Sequence, residues 1–257
     1  MFNHPNFIAL SSIVHKEIQR YTRIWVQTLL PSSITMTLYF VIFGSLIGKR
    51  IGTMDGYSYM EFIVPGLIMM SVITNSYSNV VSSFFSSKFQ RSIEEMMVAP
   101  VPNIIILLGY VAGGVSRGIL TGMIVTLVSL LFVDIEISNP FIVILVVILT
   151  SLMFSLAGFV NAVFARSFDD ISIVPTFILT PLTYLGGVFY SISLLPEFWQ
   201  KVSMVNPVLY MVNAFRYGFL GSSDINIWVA ISLIFFFIIS LSAVAMYLLN
   251  KGIGLRS

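Results

Sequence analysis

The chain has 257 residues, 57% of them hydrophobic and only 9% charged, with a formal net charge of +2. Soluble domains carry roughly 25% charged residues, so this balance excludes a water-soluble fold and points to a polytopic membrane protein. The lack of cysteine excludes disulfides, thiolate zinc sites and iron–sulfur clusters, and the two histidines, His4 and His15, lie too near the start to form an intramembrane ligand set.

Apolar runs of about 20 residues are needed to cross a hydrocarbon core of about 30 Å as helix, and the runs here are too continuous for the alternating strands of a barrel. Residues 7–23 read as an amphipathic helix, with Phe7, Leu10, Val14, Ile18, Tyr21 and Trp25 on one seam and Lys16, Arg20 and Arg23 on another. Such a helix lies in the membrane interface or forms a basic flank that orients the next span; both readings place this end in the cytoplasm. No basic region followed by an apolar core and a small-residue cleavage site precedes Lys16, so no cleaved leader is expected.

The first span is predicted over 25–47, with Trp25 as interfacial anchor and Pro31 in its first turns. A polar connection, 48–61, contains Lys49, Arg50, Asp55 and Gly56. The second span, 62–85, carries Ser71, Asn75, Ser78, Asn79 and Ser82 as one polar stripe, which in lipid is either a helix-packing seam or a pathway wall. Residues 86–102 concentrate charge: Lys88, Arg91, Glu94 and Glu95 fall here, while Phe84, Phe85, Phe89, Ile93 and Met96/Met97 continue an apolar face. That pattern predicts an amphipathic helix running on from Phe84 until Pro100 and Pro102 end it, either a solvated connector or a handle for a soluble partner.

The third span, 103–133, is too long for one perpendicular crossing and either tilts or protrudes. Gly109 and Gly113 form one four-residue step, and Gly114, Gly118 and Gly122 two more, which permit close helix approach. Arg117 is the one ionisable side chain well within a span, where it acts as an internal hydrogen-bonded tie, snorkels, or serves as a functional charge. After a short outer turn, 134–140, the fourth span over 141–164 is almost uniformly apolar and is expected to face lipid. In the following loop Asp169 and Asp170 read as a helix cap rather than a metal or acid site.

The fifth span, 173–190, holds Pro175, Thr176, Thr180, Pro181, Thr183, Tyr184, Gly186 and Gly187, and its two prolines predict a kink or break. Residues 191–224 are too interrupted to cross. Pro196 and the Asn206-Pro207 pair start two short helices, 196–204 and 207–220, expected to dip into the outer interface with Trp199, Tyr210 and Tyr217. The last span covers 227–249, followed by Lys251 and Arg256. The expected fold is thus a single all-α polytopic membrane domain over 1–257, with six transmembrane helices, an N-terminal interfacial helix and two re-entrant outer helices. With the N-terminus inside, Lys16, Arg20, Arg23, Lys88, Arg91, Arg166, Lys251 and Arg256 are cytoplasmic and Lys49, Arg50, Lys201 and Arg216 are outside. Eight against four follows the positive-inside rule.

No G-x-x-x-x-G-K-[ST] occurs, so the chain has no phosphate-cradling loop of its own, and any ATP that powers it is hydrolysed by another polypeptide. Every Asp and Glu is expected in a loop or at a span end, which disfavours an ion-coupled transporter. No nucleophile has a base beside it, so the chain is not read as an enzyme and no residue is assigned as catalytic.

Three blocks, QRSIEEMMVAPVP before the third span, GYVAGGVSRG within it, and LTPLTYLGGVFYSISLLPEFWQKVSMVNPVLYMVNAFRYGFLG after it, resemble the ABC-2 type permeases. The likeness covers almost the whole chain. In the third block Pro181, Gly186, Gly187, Pro196, Asn206, Pro207 and Arg216 are the residues that mark the broken fifth span and the outer helices. The resemblance implies a subunit of a bacterial inner-membrane exporter with both termini cytoplasmic, dimerised with a second copy and paired with two copies of a separate ABC ATPase. It implies that Arg91, Glu94, Glu95 and Pro100 belong to a coupling helix, with Lys16, Arg20 and Arg23 of the interfacial helix beside the same ATPase surface. It also implies a translocation path near the first, second and fifth spans, making Asn75, Asn79, Thr180 and Thr183 candidate lining residues. The chain itself is expected to bind no cofactor or metal, the partner using ATP and Mg, and no nucleic acid is expected. Cargo would be a hydrophobic or amphiphilic molecule such as a drug, lipid or glycan precursor. An ion-gradient-driven transporter, with the polar stripe as ion site, and a non-transport membrane scaffold are the competing readings.

Overall fold

The architecture comes from a computed structural model that describes residues 5–134 and 136–254, apart from the side chains of Ser45 and Lys49. His4 and Arg256 lie outside the described residues. Among the described residues five helices are long and apolar enough to cross a membrane: α2 (Trp25–Gly44), α3 (Tyr59–Phe89), α5 (Asn103–Ser129), α6 (Pro140–Phe164) and α10 (Ile227–Lys251). The remaining elements are α1 (Pro5–Arg23), α4 (Ser92–Val98), α8 (Glu197–Met204), α9 (Pro207–Leu220) and a broken helical run, α7, made of Asp170–Val174, Pro175–Leu179 and Thr180–Tyr184.

Helix α3 is the axis of the bundle: 78% of its most apolar stretch is buried, against 17% for α2 and 22% for α10, which are peripheral. Small residues let α5 and α6 close on it. A Cβ on Gly122 would sit 2.9 Å from Val72, and one on Gly158 would lie 2.6 Å from the carbonyl oxygen of Tyr77, so both positions require glycine for contact at backbone distance. Phe84 packs tilted against Phe159 with ring centroids 4.2 Å apart and edge-on at 5.1 Å against Tyr110, tying the three helices at one end. The expectation that the fourth span faces lipid is therefore corrected. Its sequence is apolar all round because one face meets α3 and α5 while the other meets the membrane.

The N-terminal helix also docks differently from its expected seam. Ile13, Glu17 and Tyr21 are its buried residues, whereas Phe7 and Trp25 are exposed. Ile13 packs where Gly109 has no side chain and Glu17 where Gly113 has none, so α1 runs beside the first half of α5 in the same direction. Of the expected seam Tyr21 is buried and Leu10, Val14 and Ile18 are half-buried beside it, while the exposed side carries Ser12, His15, Lys16, Gln19 and Arg23.

Helix α3 continues to Phe89 and then stops, because Arg91 adopts a left-handed backbone with φ 60° and the chain restarts as the seven-residue α4. The continuous helix expected over 86–102 is thus two pieces. Lys88 leaves the exposed charge set: its Nζ donates to the carbonyls of Val163 and Ala165, both at 2.7 Å, closing the C-terminus of α6. Ala99, before Pro100, is extended at φ −64° and ψ 149°, as the proline ring demands of its predecessor. The 48–61 connection contains a hairpin, β1 (Thr53–Met54) and β2 (Tyr57–Ser58), turned by Asp55 at φ 52° and Gly56 at φ 86°. Ser58 then caps α3 through a reciprocal box with Glu61, worth about 1 kcal/mol.

The region expected as the fifth span is the proline-interrupted α7, too short for the long-helix set. Pro175 opens a π-helical segment, and Thr180 Oγ1 returns a hydrogen bond to the Pro175 carbonyl at 2.9 Å. A second π segment, Phe40–Ile47, extends α2. The two meet: Tyr39 and Tyr184 share a hydroxyl hydrogen bond of 3.1 Å, and the tilted rings of Phe43 and Phe189 have centroids 4.8 Å apart. In helix α9, Val208 through Arg216 are nearly all buried against α3, α6 and α10.

Candidate functional site

Two sets of residues stand out, an exposed helix at one end of the bundle and a polar network in its interior. On α4, Ile93 is fully buried and anchors the helix, while Arg91, Glu95 and Pro100 are exposed and Glu94 is half-buried. Glu94 and Glu95 occupy the first turn, where carboxylates complement the helix dipole. Among the described residues neither glutamate nor Arg91 has an ion-pair partner. Three charges thus face outward from a short helix braced by α3.

The interior network joins α1, α2, α3 and α5. Glu17 is fully buried; its Oε1 accepts from Ser83 Oγ at 2.6 Å and its Oε2 lies 3.4 Å from Arg20 Nη2. The same Arg20 nitrogen donates to the Asn79 carbonyl at 3.0 Å and Oδ1 at 2.8 Å. About a turn away, Arg117 Nη2 donates to the Thr28 carbonyl at 2.9 Å and to Asn75 Oδ1 at 3.0 Å, while Asn75 Nδ2 donates to Ser32 Oγ at 2.9 Å. Arg117 is therefore an internal tie. The stripe on α3 is a packing seam in this conformation, with the Oδ1 atoms of Asn75 and Asn79 each accepting from an arginine and both side chains buried.

The structure divides the basic residues of α1. Arg20 turns inward, whereas Lys16 and Arg23 are exposed, with the Lys16 ammonium 5.9 Å from the Tyr110 ring centroid. It does not bring Thr180 and Thr183 to the asparagines. Thr180 is exposed and bonds Pro175, and Thr183 is buried and donates to the Thr180 carbonyl at 2.8 Å. Sequence reasoning missed Glu17, since all acidic residues were expected in loops or at span ends. Its signal was the four-residue spacing Ile13, Glu17, Tyr21.

At the opposite end Pro196 precedes α8, Asn206 caps α9 by accepting from Val208 N at 2.9 Å, and Pro207 opens α9. Asn206 Nδ2 also donates to the Leu182 carbonyl at 2.6 Å, just after Pro181, and Gly186 is buried beside Val208. Gly187 has φ 71°, and its carbonyl accepts from the buried Arg216 at 2.6 Å. Arg216, expected as an outer loop charge, is instead part of the core. Asp170 is a loop cap: its Oδ2 accepts from the backbone of Arg166 at 2.8 Å and Ser167 at 3.1 Å, and these bonds hold its carboxyl below the usual range. Among the described residues no cluster of His, Asp and Glu could hold a metal ion.

The family model described as "ABC-2 type transporter" matches residues 8–220. The chain is 59% identical over 254 residues, 99% of each chain, to the inner membrane transport permease YadH of Escherichia coli K12. It is 24% identical over 215 residues, 83% of each chain, to nodulation protein J of Rhizobium leguminosarum bv. viciae. To nodulation protein J of Rhizobium meliloti it is 25% identical over 191 residues.

Proposed function

This chain belongs to the ABC-2 type transporter family, and from that premise we propose that it is the inner-membrane permease subunit of an ATP-driven exporter. A separate ABC ATPase, present in two copies and using ATP and Mg, docks on α4, and the permease acts as a homodimer. The observation that carries the reading is α4 itself: a charged helix without ion-pair partners among the described residues, braced by α3 and joined through Pro100 and Pro102 to α5, in a chain that lacks a phosphate-binding loop. Arg91, Glu94, Glu95 and Pro100 form the contact, and Lys16 and Arg23 of α1 extend it.

Movement delivered to α4 reaches α3 and α5 directly. Movement delivered to α1 reaches them through Glu17, Arg20 and Asn79, so both inputs act on the same pair of helices. The translocation route forms where α2, α3 and α7 meet a second copy, with Asn75, Asn79, Thr180 and Thr183 as lining candidates once the arginine ties loosen. In this reading α7 supplies the sixth crossing together with its Gly186-Gly187 turn, α8 and α9 are re-entrant from the outer side, and both termini are cytoplasmic. The cargo is hydrophobic or amphiphilic, of the drug, lipid or glycan-precursor kind.

The test is co-purification of the tagged chain from its native membrane in mild detergent, comparing wild type with the double variant Glu94→Lys and Glu95→Lys. An ABC ATPase recovered near one to one with wild type and lost from the variant is the expected result. Equal recovery with both, or no ATPase while the permease stays dimeric, removes the coupling assignment.

A further inference from the structure

Arg216 is only 2% exposed, and it is poorly satisfied. Its Nη2 bonds the Gly187 carbonyl and its guanidinium carbon lies 3.8 Å from the Phe62 ring centroid, but Nε and Nη1 have no hydrogen-bond partner among the described residues. Unmatched donors on a buried charge are costly, because the water they gave up has not been replaced. The side chain lines a cavity of about 160 Å³ shared with Asp55, Ser222, Ser223 and Asp224. Asp55 at the hairpin tip and Asp224 are exposed, so one guanidinium forms the floor and two carboxylates the rim. No ion pair joins them: among the described residues the one ion pair is Arg20 with Glu17.

This charge order selects its ligand. A simple anion would satisfy Arg216 but meet two carboxylates on the way in; a simple cation would be drawn to the rim and then face a guanidinium. A zwitterion satisfies floor and rim together without adding net charge. The cavity shares Ser222, Ser223 and Asp224 with a wider cleft of about 550 Å³ that continues past Tyr217 and Asn226 to Trp228. Trp228 is 73% exposed at the start of α10, the peripheral apolar helix, so the cleft ends on an exposed indole of the kind that suits a membrane interface. We propose that this cavity is a headgroup site. It takes a zwitterion whose anionic group bonds Arg216 and whose primary ammonium sits between Asp55 and Asp224, as in the phosphoethanolamine head of a membrane lipid. The site goes beyond the coupling role of α4 and stands without it.

The experiment uses the full-length permease, stripped of lipid in detergent. Native mass spectrometry reads retention of short-chain phosphatidylethanolamine against phosphatidylglycerol, with soluble phosphoethanolamine and glycerol phosphate as competitors. The informative variant is Asp55→Asn, because asparagine accepts the left-handed backbone of the hairpin tip and the position is exposed. Expected are preferential retention of phosphatidylethanolamine and a loss of about two- to fivefold in Asp55→Asn, the scale of one exposed ion pair, with phosphatidylglycerol unchanged. Displacement by soluble phosphoethanolamine alone supports the headgroup chemistry and assigns a free zwitterion as its source. Equal retention of the two lipids, an unaffected Asp55→Asn variant, or equal competition by glycerol phosphate overturns the proposal.

Discussion

Arg117 and Glu17 are two of the charges that the interior must absorb beside α3, and the protein treats them in different ways. Arg117 spends one nitrogen on two acceptors and so fixes the start of α2 to α3. Glu17 has no exposed surface, whereas its partner Arg20 is 28% exposed, and this inequality predicts an asymmetric response. Arg20→Ala strands a buried carboxylate and is expected to destabilise the purified permease by about 1–3 kcal/mol. Glu17→Gln keeps an acceptor for Ser83 and leaves Arg20 able to reach Asn79 and solvent, so it is expected to cost less. Thermal unfolding in detergent that ranks Glu17→Gln below Arg20→Ala would refute this account. Arg117 was visible in the sequence as a lone charge inside a span. Glu17 was hidden, because it lies beside the apolar seam of α1 rather than on it, and its burial is set by the glycines of α5 that receive this helix.

The glycine steps of α5 act at the level of whole helices. Gly109 and Gly113 receive α1, while Gly114, Gly118 and Gly122 receive α3 and α6, so one helix carries two close-approach faces. A Cβ at Gly113 would lie 2.6 Å from the Glu17 Cβ, and a larger side chain can be housed only by moving α1 away. Gly113→Leu is therefore expected to expose α1 to trypsin at Lys16, Arg20 and Arg23 in mild detergent while the long spans stay intact. A proteolysis rate equal to that of wild type would show that α1 is held by other contacts. The steps themselves were legible as spacings. Their partners were not, nor was the left-handed break at Arg91, since no local propensity marks an arginine for φ 60°. That break turns a predicted continuous helix into a core span and a separate projecting one.

Across the whole molecule, α4 and the hairpin with Asp55 lie at opposite ends of α3, and the lack of native cysteine makes that separation directly measurable. A membrane-impermeant maleimide added to intact cells is expected to label Glu136→Cys and to label Glu95→Cys only after permeabilisation. Labelling of both from the same side would remove the six-crossing topology and the cytoplasmic placement of α4. The poorly buried α2 and α10 leave faces for lipid or a second copy, whereas α9, expected at an interface, fills the centre. By itself the sequence determined that the chain is helical and membrane-embedded, where its long apolar runs fall, that two prolines interrupt 173–190, and which family it resembles. All but the resemblance follow from composition, spacing and ring sterics, which act within a few residues; the resemblance rests on three whole sequence blocks. Only the tertiary structure decided which face of α1 is buried, that Asn75 and Asn79 are closed by arginines, that Lys88 and Arg216 point inward, and that α6 is core. In a chain this apolar every face of a helix is a permissible inner face, so hydrophobicity cannot choose among them, and the choice falls to glycine contacts and buried hydrogen bonds between distant residues.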